Sequence, residues 1–165
     1  MDHVKGYNMS EKKLAIIATK GTLDWAYPPL ILASTAAALG YQTQIFFTFY
    51  GLQILKKDLD LKVTPIGNPG MPMPGDMPFP VILQTLPGVQ AMVTSMMKKK
   101  MKNKGVADLA DLRDLCIEAE VKMIACQMTV DLFDIKPSDL LDECEFGGAA
   151  TFFEFAGQSD INLFI

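Results

Sequence analysis

The sequence predicts an α/β fold with a mainly parallel sheet, and three observations carry the prediction. Short apolar runs of strand length alternate with longer helical patterns along the chain. The first two strand-like runs are separated by a helix that stops at Gly40, which is the spacing of a βαβ unit of about 35 residues. Finally, Trp25 to Leu55 carries no Asp, Glu, Lys or Arg, as expected of elements covered on both faces.

Residues 1–12 are polar and read as a flexible arm. Leu14-Ala15-Ile16-Ile17-Ala18-Thr19 is a continuous apolar run bounded by Lys12-Lys13 and Gly21, and predicts a buried strand. Thr22 or Asp24 can cap the helix that follows, Asp24 being the better candidate. Pro28 and Pro29 are expected in or near its first turn. The helix continues through Leu30–Leu39 and ends at Gly40, the residue best suited to a left-handed cap. Gln44-Ile45-Phe46-Phe47-Thr48-Phe49, rich in aromatic and β-branched types, is the second strand. A short helix over Tyr50–Lys56 comes next.

Leu61 to Pro80 then holds so many glycines and prolines that no helix or central strand survives. Within it, residues 67–80 form a Met/Pro-rich loop whose Met71, Met73 and Met77 make it an apolar flap. Leu86–Lys104 reads as a helix with Val89, Met92, Val93, Met96 and Met97 on one side and a run of lysines at its end. Those lysines suit a solvated helix terminus better than a membrane surface. Asp108–Ala119 is a helix with Leu109, Leu112, Cys116 and Ala119 on one face. Val121–Ala125 is the third strand, Gln127–Phe133 a short helix, and Ile161–Ile165 a closing strand. Gly147-Gly148 opens a last helix to about Ala156.

Composition narrows the function. The chain has 165 residues, is 50% hydrophobic and 21% charged, and can bury a core as one domain. A net charge of -4 leaves no basic surplus for phosphates, so nucleic acid is not an expected partner. The one histidine, His3, lies in the arm, which excludes histidine-based triads and the usual imidazole metal sites. The three cysteines, Cys116, Cys126 and Cys144, form no C-x-x-C pair, and no basic-then-apolar leader follows Met1. Free thiols in a reducing cytoplasm are the expectation. Pro28-Pro29 and the polar Gly40–Gln44 stretch break the uncharged segment and argue against a membrane span.

In open parallel sheets the working crevice lies beyond the carboxyl ends of the strands. Of the three ends readable here, only Ala125-Cys126-Gln127 carries a nucleophile. A cysteine where a strand hands over to a helix meets free backbone N–H groups, which favour the reactive thiolate. On position alone, an activated thiol and a merely small, buried cysteine are equally good readings. Gly21 and Thr22, at another strand end, and Gln127 and Met128, next along the chain, are the expected neighbours of the site. Cys116 belongs on a core face, and the acidic residues around Cys144 oppose a thiolate there.

The segment Ala125-Cys126-Gln127-Met128-Thr129-Val130-Asp131-Leu132-Phe133-Asp134-Ile135 resembles the DsrE/DsrF-like family of sulfur-relay proteins, whose DsrE-like branch carries A-C-x-M-[ST]-x-D-x-x-x-I at a strand end. Lys20–Asp24, the Met/Pro-rich loop, Leu86-Pro87-Gly88 and Gly147–Ala150 fit the same family. The resemblance implies a three-layer α/β/α fold with about five strands, a single DsrE-like domain over residues 1–165 and homo-oligomeric assembly. It also implies that Cys126 carries sulfane sulfur as a persulfide. Thr129 and Phe133 stand where many relatives have Ser and Met, and Asp134 replaces a common Gly. Some branches of the family carry membrane segments.

The resulting expectation is a sulfur carrier or sulfurtransferase with sulfur donor and acceptor proteins as partners, and with no metal or organic cofactor. The alternative is a non-catalytic assembly module that docks through its Met-rich surface.

Overall fold

The computed structural model describes residues 12–64 and 86–165. The arm, with His3, and the 67–80 loop therefore lie outside the described residues, apart from Lys12. The described elements are, in order, β1 (Lys13–Ala18), α1 (Leu23–Ala38), β2 (Gln42–Phe47) and a 3-10 helix (Phe49–Leu55), followed by α2 (Val89–Asn103) and α3 (Leu109–Glu118). Then come β3 (Lys122–Cys126), α4 (Gln127–Leu132), β4 (Glu145–Gly147), α5 (Ala149–Ala156) and β5 (Ile161–Phe164).

The five strands form one sheet in the order β4-β3-β2-β1-β5, and every pairing is parallel. The fold is thus the expected three-layer α/β/α architecture. Alternate residues of each strand point to opposite faces. Leu14, Ile16, Ala18, Ile45, Phe47, Met123 and Ala125 meet Leu23, Leu30, Ala33, Leu112 and Cys116 of α1 and α3 in the main core. On the other face Ala15, Phe46, Ile124 and Cys126 pack against Phe152 and Ala156 of α5 in a smaller one.

Helix termination follows the sequence closely. Gly40, at φ +84°, ends α1, with its N–H on the Ala37 carbonyl at 2.9 Å and the Tyr41 N–H on that of Ala36 at 3.0 Å. This is a Schellman closure, and α3 and α4 end the same way. Their left-handed positions are held by Glu120 (φ +56°) and Asp134 (φ +50°) rather than glycine. Thus Asp134 stands at a position where the backbone itself favours Gly.

Several local expectations are corrected. Pro28 and Pro29 sit inside α1, beyond its first turn, because the helix already starts at Leu23. Asp24 is not the cap. Thr22 occupies that position without a side-chain cap bond, and the Asp24 carboxylate instead accepts from the Thr64 N–H at 2.9 Å and the Thr64 hydroxyl at 2.8 Å. The second strand ends at Phe47, two residues early, because Phe49 turns to φ +49° and starts the 3-10 helix. On α2 only Thr94 is buried; Val93 and Met97 pack partly on the core, while Met92 and Met96 are exposed. Gly147, expected with Gly148 to open the last helix, instead closes the edge strand Glu145–Gly147, and α5 starts at Ala149 after the Gly148 N-cap.

No helix among the described residues is long and apolar enough to cross a membrane. A buried Arg113 on α3 donates to the Lys56 carbonyl at 2.7 Å and thereby ties down the end of the 3-10 helix.

Candidate functional site

Cys126 is the last residue of β3 and the N-cap of α4. Its neighbours are fixed by sheet register. Gly147 of β4 pairs with it on one side. On the other, Phe47 pairs with Ala125, so Thr48 lies level with Cys126 one step further along. The residue is only 4% exposed, and its thiol closes no cap bond onto α4.

The polar groups around the sulfur come from two elements. Thr129, in the first turn of α4, is completely buried. Its hydroxyl lies 3.2 Å from that of Thr48 and accepts the Phe49 N–H at 3.2 Å. Burial alone would raise the Cys126 pKa. The polar hydrogens of the Thr129 hydroxyl and N–H, the Thr48 hydroxyl and the Met128 N–H favour the thiolate and outweigh burial, so the thiol lies below its ordinary value.

The other two thiols move in the opposite direction. Burial pushes Cys116 up to about 11. Burial and the charges of Glu143 and Asp142 raise Cys144. Of the three, Cys126 alone is shifted toward the thiolate.

Phe49, whose N–H is held by Thr129, belongs to an aromatic cluster. Tyr50 stacks on Phe133 with centroids 5.7 Å apart, and Phe49 meets the same ring edge-on at 6.5 Å. All three are exposed, as are Met128 and Leu132 on α4. Phe49 holds its left-handed backbone through the Thr129 bond, a conformation that an aromatic residue adopts only where its surroundings impose it.

The expected site neighbours divide. Met128 contributes its N–H to the sulfur's surroundings, whereas the Gln127 side chain turns outward and donates to Asp131 at 2.8 Å. Gly21 and Thr22 follow β1, and β2 stands between β1 and β3. A Cβ on Gly21 would run into the Tyr50 carbonyl and the Gln53 side chain, so glycine lets this turn lie against the 3-10 helix. The Thr22 hydroxyl shares a hydrogen bond with that of Thr64 at 3.1 Å. These two residues shape the helix beside the site; neither belongs to the hydroxyl group around Cys126. Among the described residues no cluster of three His, Cys, Asp or Glu side chains is placed to hold a metal ion.

Thr48 and Thr129 are not among the site neighbours that the sequence led us to expect. The signals existed: Thr129 is three residues after the capping cysteine, and Thr48 ends the neighbouring parallel strand.

The sequence profile of the DsrE/DsrF/DrsH-like family matches residues 10–164. The chain belongs to that family. It is 69% identical over 159 residues to "Sulfur carrier protein DsrE2" of Allochromatium vinosum, covering 95% of this chain and 100% of the relative. It is 31% identical over 161 residues to "Uncharacterized protein YrkE" of Bacillus subtilis, covering 93% and 97% respectively. The crystal structure of the ychN protein from E. coli superposes with a TM-score of 0.55 at 11% identity, covering 93% of this chain and 99% of that one. That last likeness is one of fold.

Proposed function

We propose that this protein is a sulfur carrier that takes sulfane sulfur onto Cys126 and passes it to an acceptor thiol. The name of the Allochromatium vinosum relative supports the carrier role. The observation that carries the assignment to a residue is the contrast among the thiols: Cys126, at the head of α4 with the Thr48 and Thr129 hydroxyls and the first N–H groups of that helix around it, is lowered, while burial raises Cys116 and Cys144.

The chemistry follows thiol exchange. In loading, the Cys126 thiolate attacks the outer sulfur of a donor persulfide R–S–SH. A bond forms between Sγ and that sulfur, the donor S–S bond breaks, and R–S⁻ leaves with the electron pair. The product is Cys126–S–SH. In hand-off an acceptor thiolate attacks the outer sulfur, and the Cys126 thiolate leaves. No net oxidation occurs in either step, so neither requires a metal or organic cofactor. The partners in this reading are donor and acceptor proteins, and the chain works in the cytoplasm as a single domain in a homo-oligomer.

The test is to incubate the protein with a persulfide donor and locate added sulfur by site-resolved mass spectrometry. Wild type and Cys116→Ser should gain one sulfur on Cys126, and Cys126→Ser should gain none. An unchanged adduct in Cys126→Ser overturns the assignment.

A further inference from the structure

We propose that Thr129 and Thr48 are positioning residues that reserve one hydroxyl proton for the Cys126 sulfur, and that Thr129 is the member of the pair that cannot be spared. The proposal rests on the carrier reading of Cys126 and deepens it.

The argument is an accounting of protons. Each threonine hydroxyl has one proton to donate and two acceptor positions. The Phe49 N–H, at 3.2 Å, fills one acceptor position of Thr129. The two hydroxyls are 3.2 Å apart, so one donates to the other. If Thr48 donates, both acceptor positions of Thr129 are filled, and the Thr129 proton is left to point at the sulfur. If Thr129 donates, the Thr48 proton is left. Thr48 lies level with Cys126 on the neighbouring strand, and Thr129 is three residues after it in the first turn of α4, so either orientation leaves one O–H next to the thiolate. When Thr48 is the donor, the fully buried Thr129 hydroxyl would otherwise lack a partner for its proton.

The pair is not symmetric. Without Thr48, Thr129 keeps the Phe49 N–H and turns its own proton to the sulfur. Without Thr129, the Phe49 N–H loses its acceptor, and the left-handed residue that begins the 3-10 helix loses its anchor. Charge does not supply the same effect. Lys122 on β3, Asp131 on α4, Asp134 beyond it, Glu145 on β4, Glu154 on α5 and the Tyr50 phenol are the ionisable groups on the elements around the thiol. All are exposed, and none of them moves its titration.

The same proton serves both half-reactions. Cys126 is the attacking thiolate in loading and the leaving thiolate in hand-off, and the negative sulfur sits at one place in each. Losing a hydrogen bond to a charged group should raise the thiol pKa by about one unit or more. Below the pKa the thiolate fraction then falls about tenfold per unit, while the more basic thiolate is roughly threefold more nucleophilic. The net loss in neutral-pH rate is about threefold per unit.

The experiment is the pH dependence of Cys126 alkylation by iodoacetamide, followed by site-resolved mass spectrometry on the full chain. Thr129→Ser and Thr129→Ala both lack the methyl group and differ only in the oxygen, so any effect of the cavity is common to both. We expect Thr129→Ser to keep the wild-type midpoint. Thr129→Ala and Thr129→Val should shift it upward by about one unit or more, and Thr48→Val by less than half as much. Coincident profiles for Thr129→Ser and Thr129→Ala would overturn the proposal, as would equal shifts for Thr48→Val and Thr129→Val. Persulfide loading measured on the same samples separates the two readings. Failure of the wild type to load sulfur contradicts the carrier role, whereas normal loading with coincident profiles contradicts only the hydroxyl pair.

Discussion

Replacing Gly51 by alanine tests how the 3-10 helix is held over the site. A Cβ there would run into the Ala18 carbonyl oxygen, with the Ala18 carbonyl carbon at 2.9 Å and the Thr19 nitrogen at 3.3 Å. All three atoms are backbone, so no side chain can swing aside. The helix cannot simply lift either, because the Gly51 N–H donates to the Thr19 and Thr48 carbonyls at 3.0 Å each. Overpacking of this kind costs roughly 1–3 kcal/mol, and weakening the hydrogen bonds adds about 1. Alanine returns about 0.5–1 kcal/mol by restricting the unfolded chain, which leaves a net loss of about 2–3 kcal/mol. For a chain of this size each kcal/mol moves the melting point by about 2–4 °C, so Gly51→Ala should melt roughly 5–10 °C lower. Thermal unfolding followed by circular dichroism measures this. Cys126 alkylation should slow as well, since the displaced helix begins beside Thr48. Gly148→Ala, where a Cβ meets nothing within 4 Å, is the control and should stay within about 0.5 kcal/mol of wild type. A Gly51→Ala variant that melts with the wild type would refute the close approach.

Two further predictions concern the caps and the core thiol. Glu120→Gly and Asp134→Gly should each stabilise the fold by about 0.5–1 kcal/mol in urea unfolding, because both positions are left-handed, and a loss of stability in either would contradict the Schellman reading. Cys116 is raised in the fold to about 11, so its stabilising contribution is complete below the ordinary thiol pKa and disappears as pH rises through about 11. Wild type should therefore lose more stability than Cys116→Ala between those limits, and parallel pH profiles would show that the buried thiol does not matter.

The sequence made the layering legible because burial on both faces leaves a plain mark. The uncharged Trp25–Leu55 stretch is α1, β2 and the 3-10 helix, and Gly40 ends α1 as its side-chain-free backbone requires. The strand-to-helix handover at Cys126 was equally readable, since a short apolar run stops there. What escaped was set by tertiary geometry. β4 has three residues, two of them exposed, and its pairing with β3 rather than its composition makes it a strand. Asp24 was expected to cap α1, but Thr64, forty residues away in the chain, claims its carboxylate. Thr48 and Thr129 are separated by 81 residues, and only the register of β2 against β3 brings their hydroxyls together. Phe49 adopts a conformation that no local propensity favours, and its N–H bond to Thr129 is what fixes it.

The account depends on the N–H and O–H groups around Cys126 favouring its thiolate in spite of burial. The most direct measurement is the ultraviolet absorbance of the thiolate across a pH titration, taken as the difference between wild type and Cys126→Ser. Because the folded pKa is depressed, the same group should stabilise the protein above the ordinary thiol pKa and lose that contribution as pH falls through its folded value. The predicted result is a single-thiol transition centred below the ordinary cysteine range. A transition at or above that range would contradict the account.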